Sequence, residues 1–144
     1  MKAYLRRVNY YETDQMGITH HSNYIRWMEE ARLDYLRQIG WGLEKLEALG
    51  MVSPVSNLQA GYRKNTTFPE EVAIQVTLTR YTGVRICLHY EMRNAAGEVV
   101  FEGDTESCFV DGEGKILRLK KACPGFSQAL EAQLAAADSQ AAER

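Results

Sequence analysis

Glu12-Thr13-Asp14-Gln15-Met16-Gly17-Ile18-Thr19-His20-His21-Ser22-Asn23-Tyr24-Ile25-Arg26-Trp27-Met28-Glu29-Glu30-Ala31 changes character at its middle. The first half is polar and turn-prone. The second half opens the strongest helical pattern in the chain. Tyr24, Ile25, Trp27, Met28, Ala31, Tyr35, Leu36 and Ile39 cover about half of a wheel drawn at ~100° per residue. A helix lying on a flat surface needs a narrower stripe, so the pattern predicts a helix partly enveloped by something curved. Ser22 and Asn23 are both able N-caps, and Gly40 supplies a stop after Ile39, so the helix is predicted from one of the former to about the latter.

Beyond this helix the apolar period falls to two. Val72, Ile74, Val76 and Leu78 alternate with polar residues, as do Ile86, Leu88, Tyr90 and Met92, and Phe101 to Val110 continues as a β-rich run. Thr82-Gly83, Asn94 to Gly97 and Asp111 to Gly114 punctuate these runs at hairpin spacing, which predicts antiparallel pairing. Residues 3–10 read as a first strand, and Val52 to Thr67 as another, closed by Pro69. Leu43 to Leu49 reads as a short amphipathic turn. A last helix is predicted to start at Pro124 and pack through Phe126, Leu130 and Leu134, with residues 135–144 fraying or extending it. The order is a strand, a long helix and four strands in meander. One sheet must bury a half-apolar helix, so the fold class predicted is α+β: a curved, five-stranded antiparallel sheet wrapped around one long helix. The open sheet edges favour a homodimer or a homotetramer built from dimers.

The chain has 144 residues, and the expectation is one domain spanning 1–144. A net charge of −2 and the lack of a polybasic run argue against nucleic acid or a charged membrane surface as partners. No apolar h-region follows Met1 to Arg7, and no stretch approaches the ~20 apolar residues of a membrane span, so a soluble, cytoplasmic protein is expected. Cys87, Cys108 and Cys123 are odd in number, widely spaced and outside any CxxC. They read as buried free thiols, not as disulfides or zinc ligands.

The chemistry-bearing residues gather ahead of the long helix. A helix N-terminus offers unpaired N–H groups and the positive end of a dipole, and here a carboxylate, Asp14, stands close before it. That is equipment for acyl transfer, although an aspartate in a turn also serves as a cap. Gly17 reads as a position of unusual backbone angle or close approach. His21 either orients Asp14 or an attacking water, hydrogen-bonds a substrate carbonyl, or is a solvent-facing or capping histidine. Asp14, His20 and His21 do not read as metal ligands, because adjacent histidines usually point apart and no further ligand cluster is visible. Tyr24 and Trp27 read as core or pocket wall. Glu29 and Arg32 read as an ion pair. Arg63, Lys64, Arg80, Arg85, Arg118, Lys120 and Lys121 are the cations from which phosphate contacts would be drawn.

Val8-Asn9-Tyr10-Tyr11-Glu12-Thr13-Asp14-Gln15-Met16-Gly17 through Asn23-Tyr24, with Glu29-Glu30-Ala31-Arg32, resembles the signature of hotdog-fold acyl-CoA thioesterases of the 4-hydroxybenzoyl-CoA thioesterase-like branch. Asp14, Gly17, His21 and Tyr24 match that pattern in register, and the order of elements extends the likeness over residues 3 to 120. The resemblance implies hydrolysis of acyl-CoA at a dimer interface, without metal or redox cofactor. It makes Asp14 the catalytic carboxylate, as base or nucleophile, and His21 a second catalytic position at the helix start, where a backbone N–H polarises the thioester carbonyl. Tyr10, Gly17, His20, Asn23, Tyr24 and Arg63 are the expected substrate contacts. Many relatives carry two small residues where this chain has Gln15-Met16, so Met16 is expected to reshape the acyl pocket. A hotdog hydratase and a non-catalytic acyl-CoA-binding module are the alternatives. The former uses differently placed His and acid, often in a proline-marked loop, and this loop has no proline.

Overall fold

The computed structural model describes residues 1–143, with side chains as far as Gln140. In chain order it contains β1 (Tyr4–Arg7), α1 (His21–Gln38), α2 (Leu43–Ala48), β2 (Val55–Tyr62), β3 (Glu71–Tyr81), β4 (Ile86–Arg93), β5 (Val99–Ser107), α3 (Leu119–Ala122) and α4 (Pro124–Glu143). The five strands form one antiparallel sheet in the order β1-β3-β4-β5-β2. It is the α+β arrangement the sequence predicts, with α1 against one sheet face.

The period-2 residues meet the helical stripe. Val72, Ile74, Val76 and Leu78 of β3, Ile86, Leu88, Tyr90 and Met92 of β4, and Phe101 of β5 are all buried. From α1, Tyr24, Trp27, Met28, Ala31, Arg32, Tyr35 and Leu36 are buried with them. Each large apolar side chain so buried contributes about 1.5–3 kcal/mol against the entropy of ordering the chain. The approach is close at Gly103, where a Cβ would stand 2.8 Å from Met28 Cε and 3.0 Å from the Gln59 carbonyl oxygen. Ile25, predicted within the apolar stripe, is instead 39% exposed. Gly40 stops α1 as predicted, at φ +89°, and the Trp41 N–H returns to the Leu36 carbonyl. α4 starts at Pro124 and buries Phe126 and Leu130, with Leu134 packed against the core. It continues through Glu143; Arg144 lies outside the described residues. Cys123 is buried while Cys87 and Cys108 are half-buried, and all three are free.

Three expectations about the strands change. The strand read over Val52 to Thr67 is confined to Val55–Tyr62. β1 ends at Arg7 instead of residue 10, because Asn9 caps a 3-10 turn, Tyr10–Glu12, and the Glu12 carboxylate accepts the Asn9 N–H. The four later strands are not one meander. β3, β4 and β5 are joined as hairpins, but β2 pairs with β5 at the far edge. Residues 63–70 therefore cross the strand ends from β2 to β3, with the N–H groups of Arg63 and Lys64 both donating to the Val100 carbonyl. This crossing is the floor on which the Asp14 loop rests.

Candidate active site

The loop between the 3-10 turn and α1 folds back on itself as a small ladder. The His20 N–H donates to the Glu12 carbonyl at 2.8 Å, Thr13 bridges Thr19, and the Asp14 N–H donates to the Ile18 carbonyl at 2.9 Å. The Gly17 N–H closes the tip on the Asp14 carbonyl at 2.9 Å. Gly17 sits at φ +76°, a region that costs an L side chain about 1–2 kcal/mol, so the glycine anticipated there is required by the turn. The crossing segment holds the ladder from below. Thr19 donates its N–H to the Thr66 carbonyl at 2.8 Å, the Thr19 and Thr66 hydroxyls are 2.7 Å apart, and the Thr67 hydroxyl donates to the Gly17 carbonyl at 2.7 Å.

Asp14 is half-buried at the tip of this ladder. Its Oδ1 accepts the Met16 N–H at 2.9 Å, and Oδ2 has no partner among the described residues. Met16 is 75% exposed in the single chain. His20, not Ser22 or Asn23, is the N-cap of α1: its Nδ1 accepts the Ser22 N–H at 3.3 Å and lies 2.8 Å from the Ser22 hydroxyl. The freed Asn23 side chain donates to the Glu12 carbonyl at 2.9 Å and the His20 carbonyl at 3.3 Å. His21 is the first residue of α1, and its N–H meets no acceptor among the described residues, as the first turn of a helix dictates. The His20 and His21 rings do not point apart; they lie face to face at 4.2 Å, 31° from parallel. No third ligand joins them: among the described residues, the one group whose ligand atoms converge as a metal site would is His89, Glu91 and Glu102.

The other expected contacts divide. Tyr24 is 3% exposed, stacked on Phe101 at 5.2 Å, with its hydroxyl 2.8 Å from the Thr66 hydroxyl; it supports the loop from inside. Burial raises the Tyr24 pKa, so its hydroxyl stays neutral. Tyr10 lies on the 3-10 turn, not on β1, is 77% exposed and meets Phe68 edge-on. Arg63 is exposed beside Tyr62 and reaches Glu102 at 3.5 Å. Of the remaining cations, Arg118, Lys120 and Lys121 border a cleft of about 550 Å³ with Tyr81, Val84 and Leu134. That cleft lies at the end of β3 away from Asp14, and apart from these cations it contains none of the expected catalytic or substrate-contact residues. The Glu29–Arg32 pair is present at 2.9 Å, and Arg32 also donates to the Ser53 hydroxyl, tying α1 to the approach of β2.

Two contributors escaped the sequence reading. The Tyr62 hydroxyl donates to the His21 carbonyl at 2.9 Å, fixing the first turn of α1 to β2. Glu12 is only 4% exposed, and its carboxylate gathers both Arg6 terminal nitrogens, the Asn9 N–H and Trp27 Nε1 at 2.8–3.0 Å. Burial alone would favour a neutral Arg6, yet its bonds to Glu30 and Glu12 outweigh that and hold it protonated beyond the usual arginine range. The invariable charge of Arg6 was the available signal, since a strand cation needs an acid nearby when it is covered.

A five-stranded antiparallel sheet with one long helix packed on its face is the arrangement of the hotdog fold. The family model for the thioesterase-like superfamily matches residues 8–137, and the chain belongs to that superfamily. It is an enzyme, and at the family level its activity is hydrolysis of acyl-CoA thioesters. It is 33% identical over 125 residues to YneP of Bacillus subtilis (strain 168), covering 86% of this chain and 91% of that one. The acyl-CoA thioester hydrolase YbgC of Escherichia coli O157:H7 is 25% identical over 105 residues, covering 73% and 78%. Among solved structures, a DHNA-CoA thioesterase from Staphylococcus aureus superposes with a TM-score of 0.92 at 31% identity, covering 96% of this chain and 94% of that one. No helix among the described residues is long and apolar enough to cross a membrane.

Proposed function

We propose that the protein hydrolyses acyl-CoA to the free acid and CoA at the Asp14 loop. The carrying observation is that one ladder of backbone bonds links a carboxylate with an uncommitted oxygen to a helix N-terminus with an uncommitted N–H. The His21 N–H and the positive end of α1 stabilise the oxyanion that forms on the thioester carbonyl. Asp14 Oδ2 either takes a proton from the attacking water or attacks the carbonyl itself, giving an anhydride that water opens. The thiolate of CoA leaves readily, so the reaction drawn here uses protein groups and water alone. His20 caps the helix, and its ring lies against that of His21. Gly17 leaves the tip open, and Arg63, exposed beside Tyr62, is the cation assigned to a CoA phosphate in this reading.

Two copies complete the site in this reading. β2 is an edge strand with a largely exposed pattern, and Ile25, Val52, Val55 and Tyr62 expose apolar surface along it and the neighbouring helix. Such an edge is covered by a second copy at low cost. Between two copies the acyl group would enter beside Met16, and the S. aureus relative makes an aromatic acyl group the first to try.

The experiment is thiol release from short aliphatic, long aliphatic and aryl CoA esters by the parent and by Asp14→Asn. The variant is expected to lose about 10²–10⁴-fold in kcat while retaining affinity for CoA. Parental turnover by Asp14→Asn on the preferred ester would refute the assignment. Incubation in ¹⁸O-water under single-turnover conditions tests for the nucleophile: label in Asp14 marks an anhydride opened at the Asp14 carbonyl, while label confined to the product acid fits direct water attack or opening at the acyl carbonyl, which trapping of an acylated Asp14 tells apart.

A further inference from the structure

We infer that Glu12 is a positioning residue for the reaction: its buried carboxylate fixes where the Asp14 carboxylate stands relative to the first N–H of α1. The inference rests on the reading of Asp14 and His21 given above. The two ends of this residue hold different things. Its side chain faces inward, where Oε1 accepts from Arg6 at 2.9 Å and from the Asn9 N–H at 2.8 Å, and Oε2 accepts from Arg6 at 3.0 Å and from Trp27 Nε1 at 3.0 Å. Arg6 belongs to β1 and Trp27 to the buried face of α1. The carboxylate thus nails its own backbone to the strand and the helix together. Its carbonyl faces the loop and accepts the His20 N–H at 2.8 Å and the Asn23 amide at 2.9 Å, the bonds that define the entry into α1.

Glu12 is also the base rung of the ladder. Thr13–Thr19 is the next, Asp14–Ile18 the one after, and His21 follows directly on the partner side. A shift at Glu12 therefore changes where Asp14 stands relative to His21, since both arms of the ladder start from it. A carboxylate that must meet a carbonyl carbon while an N–H meets its oxygen tolerates little of this; a displacement of about 1 Å can cost about 10²-fold in rate.

Glu30 supplies the matched control. It shares the same guanidinium, accepting from Arg6 Nε at 2.8 Å, and accepts from the Tyr4 hydroxyl at 2.9 Å, but it makes no bond to the loop. Glu30 is the more exposed of the two, 35% against 3% for the side chain, so a role limited to stability would lower Tm more in Glu12→Gln and leave kcat unchanged in both. A positioning role separates them.

The test compares Glu12→Gln, Glu30→Gln and Asp14→Asn in the full chain, reading kcat, KM, Tm and amide exchange at His20. Glu12→Gln is expected to lower kcat by about 10- to 100-fold with KM within about twofold, and to speed exchange of the His20 amide. Glu30→Gln is expected to lower Tm with kcat within about twofold. If Glu12→Gln fails to fold, Trp27→Phe removes one donor to the same carboxylate and is expected to lower kcat in the same sense by a smaller factor. Parental kcat in the folded Glu12 or Trp27 variant, beside an inert Asp14→Asn, overturns this inference alone. So does an equal loss of kcat in Glu30→Gln at matched Tm. Full activity of Asp14→Asn would overturn the reading of Asp14 and this inference with it.

Discussion

Tyr35 lies on the buried face of α1 at 2% exposure, and its hydroxyl has no hydrogen-bond partner among the described residues. Burial alone pushes its pKa up to about 12. An unpaired buried hydroxyl costs about 1–3 kcal/mol, so Tyr35→Phe is expected to leave stability unchanged or raise it by about 1 kcal/mol in urea unfolding. A loss of that size would reveal a partner for the hydroxyl. Gly17 is the opposite case, a residue whose absent side chain matters. An added Cβ would meet no atom within 4 Å, so the whole penalty of Gly17→Ala is the φ of +76°. That variant is expected to lose about 1–2 kcal/mol and, because the Gly17 N–H closes the turn on Asp14, to lose turnover as well. Unchanged kcat at reduced stability would separate the tip of the loop from the chemistry. Gly17 was legible from its type and place in a turn. Glu12 was not, because a glutamate in a polar loop reads as solvated, and nothing in the local sequence announces that Arg6 and Trp27 close over it.

At the scale of elements, the pairs that alternate were readable and the ones that cross were not. Val72 to Leu78 and Ile86 to Met92 carry period two, with Thr82-Gly83 between them, so the β3–β4 hairpin follows from local chemistry. β2 has no such pattern, since most of its residues are exposed on both sides. Its place beside β5 comes from the antiparallel ladder from Val55–Ser107 to Tyr62–Phe101 and from the Val100 carbonyl, which are long-range. The start of α1 shifts for a similar reason: Ser22 and Asn23 are better caps by type, but Asn23 is needed to hold Glu12, and the His20 ring takes the cap. The packing of α1 on β5 gives a direct test. Gly103→Ala would press a Cβ on Met28 and on the Gln59 carbonyl, and overpacking of this kind costs about 1–3 kcal/mol. Thermal unfolding should show a fall in Tm of several degrees, and Met28→Ala in the same chain should recover part of it. A Tm equal to the parent's would mean the helix can retreat from the sheet.

For the whole molecule, the single chain leaves an edge strand and apolar side chains uncovered next to the loop that carries Asp14 and the helix start. In the proposed dimer a second copy across β2 would bury them and wall the acyl group. Ile25→Arg with Val55→Glu is expected to yield monomers by sedimentation and to lose most turnover, while keeping the far-ultraviolet signature of the fold. A fully active monomer would place the complete site within one chain.

The central claim, that Asp14 and the His21 N–H act on one carbonyl, is tested most directly by the infrared band of a ¹³C-labelled thioester bound to Asp14→Asn. With the carboxylate gone and the N–H in place, the ester should persist in the complex and its carbonyl band should lie at lower frequency than in water. A band at the aqueous position, or an ester consumed at the parental rate, would contradict it.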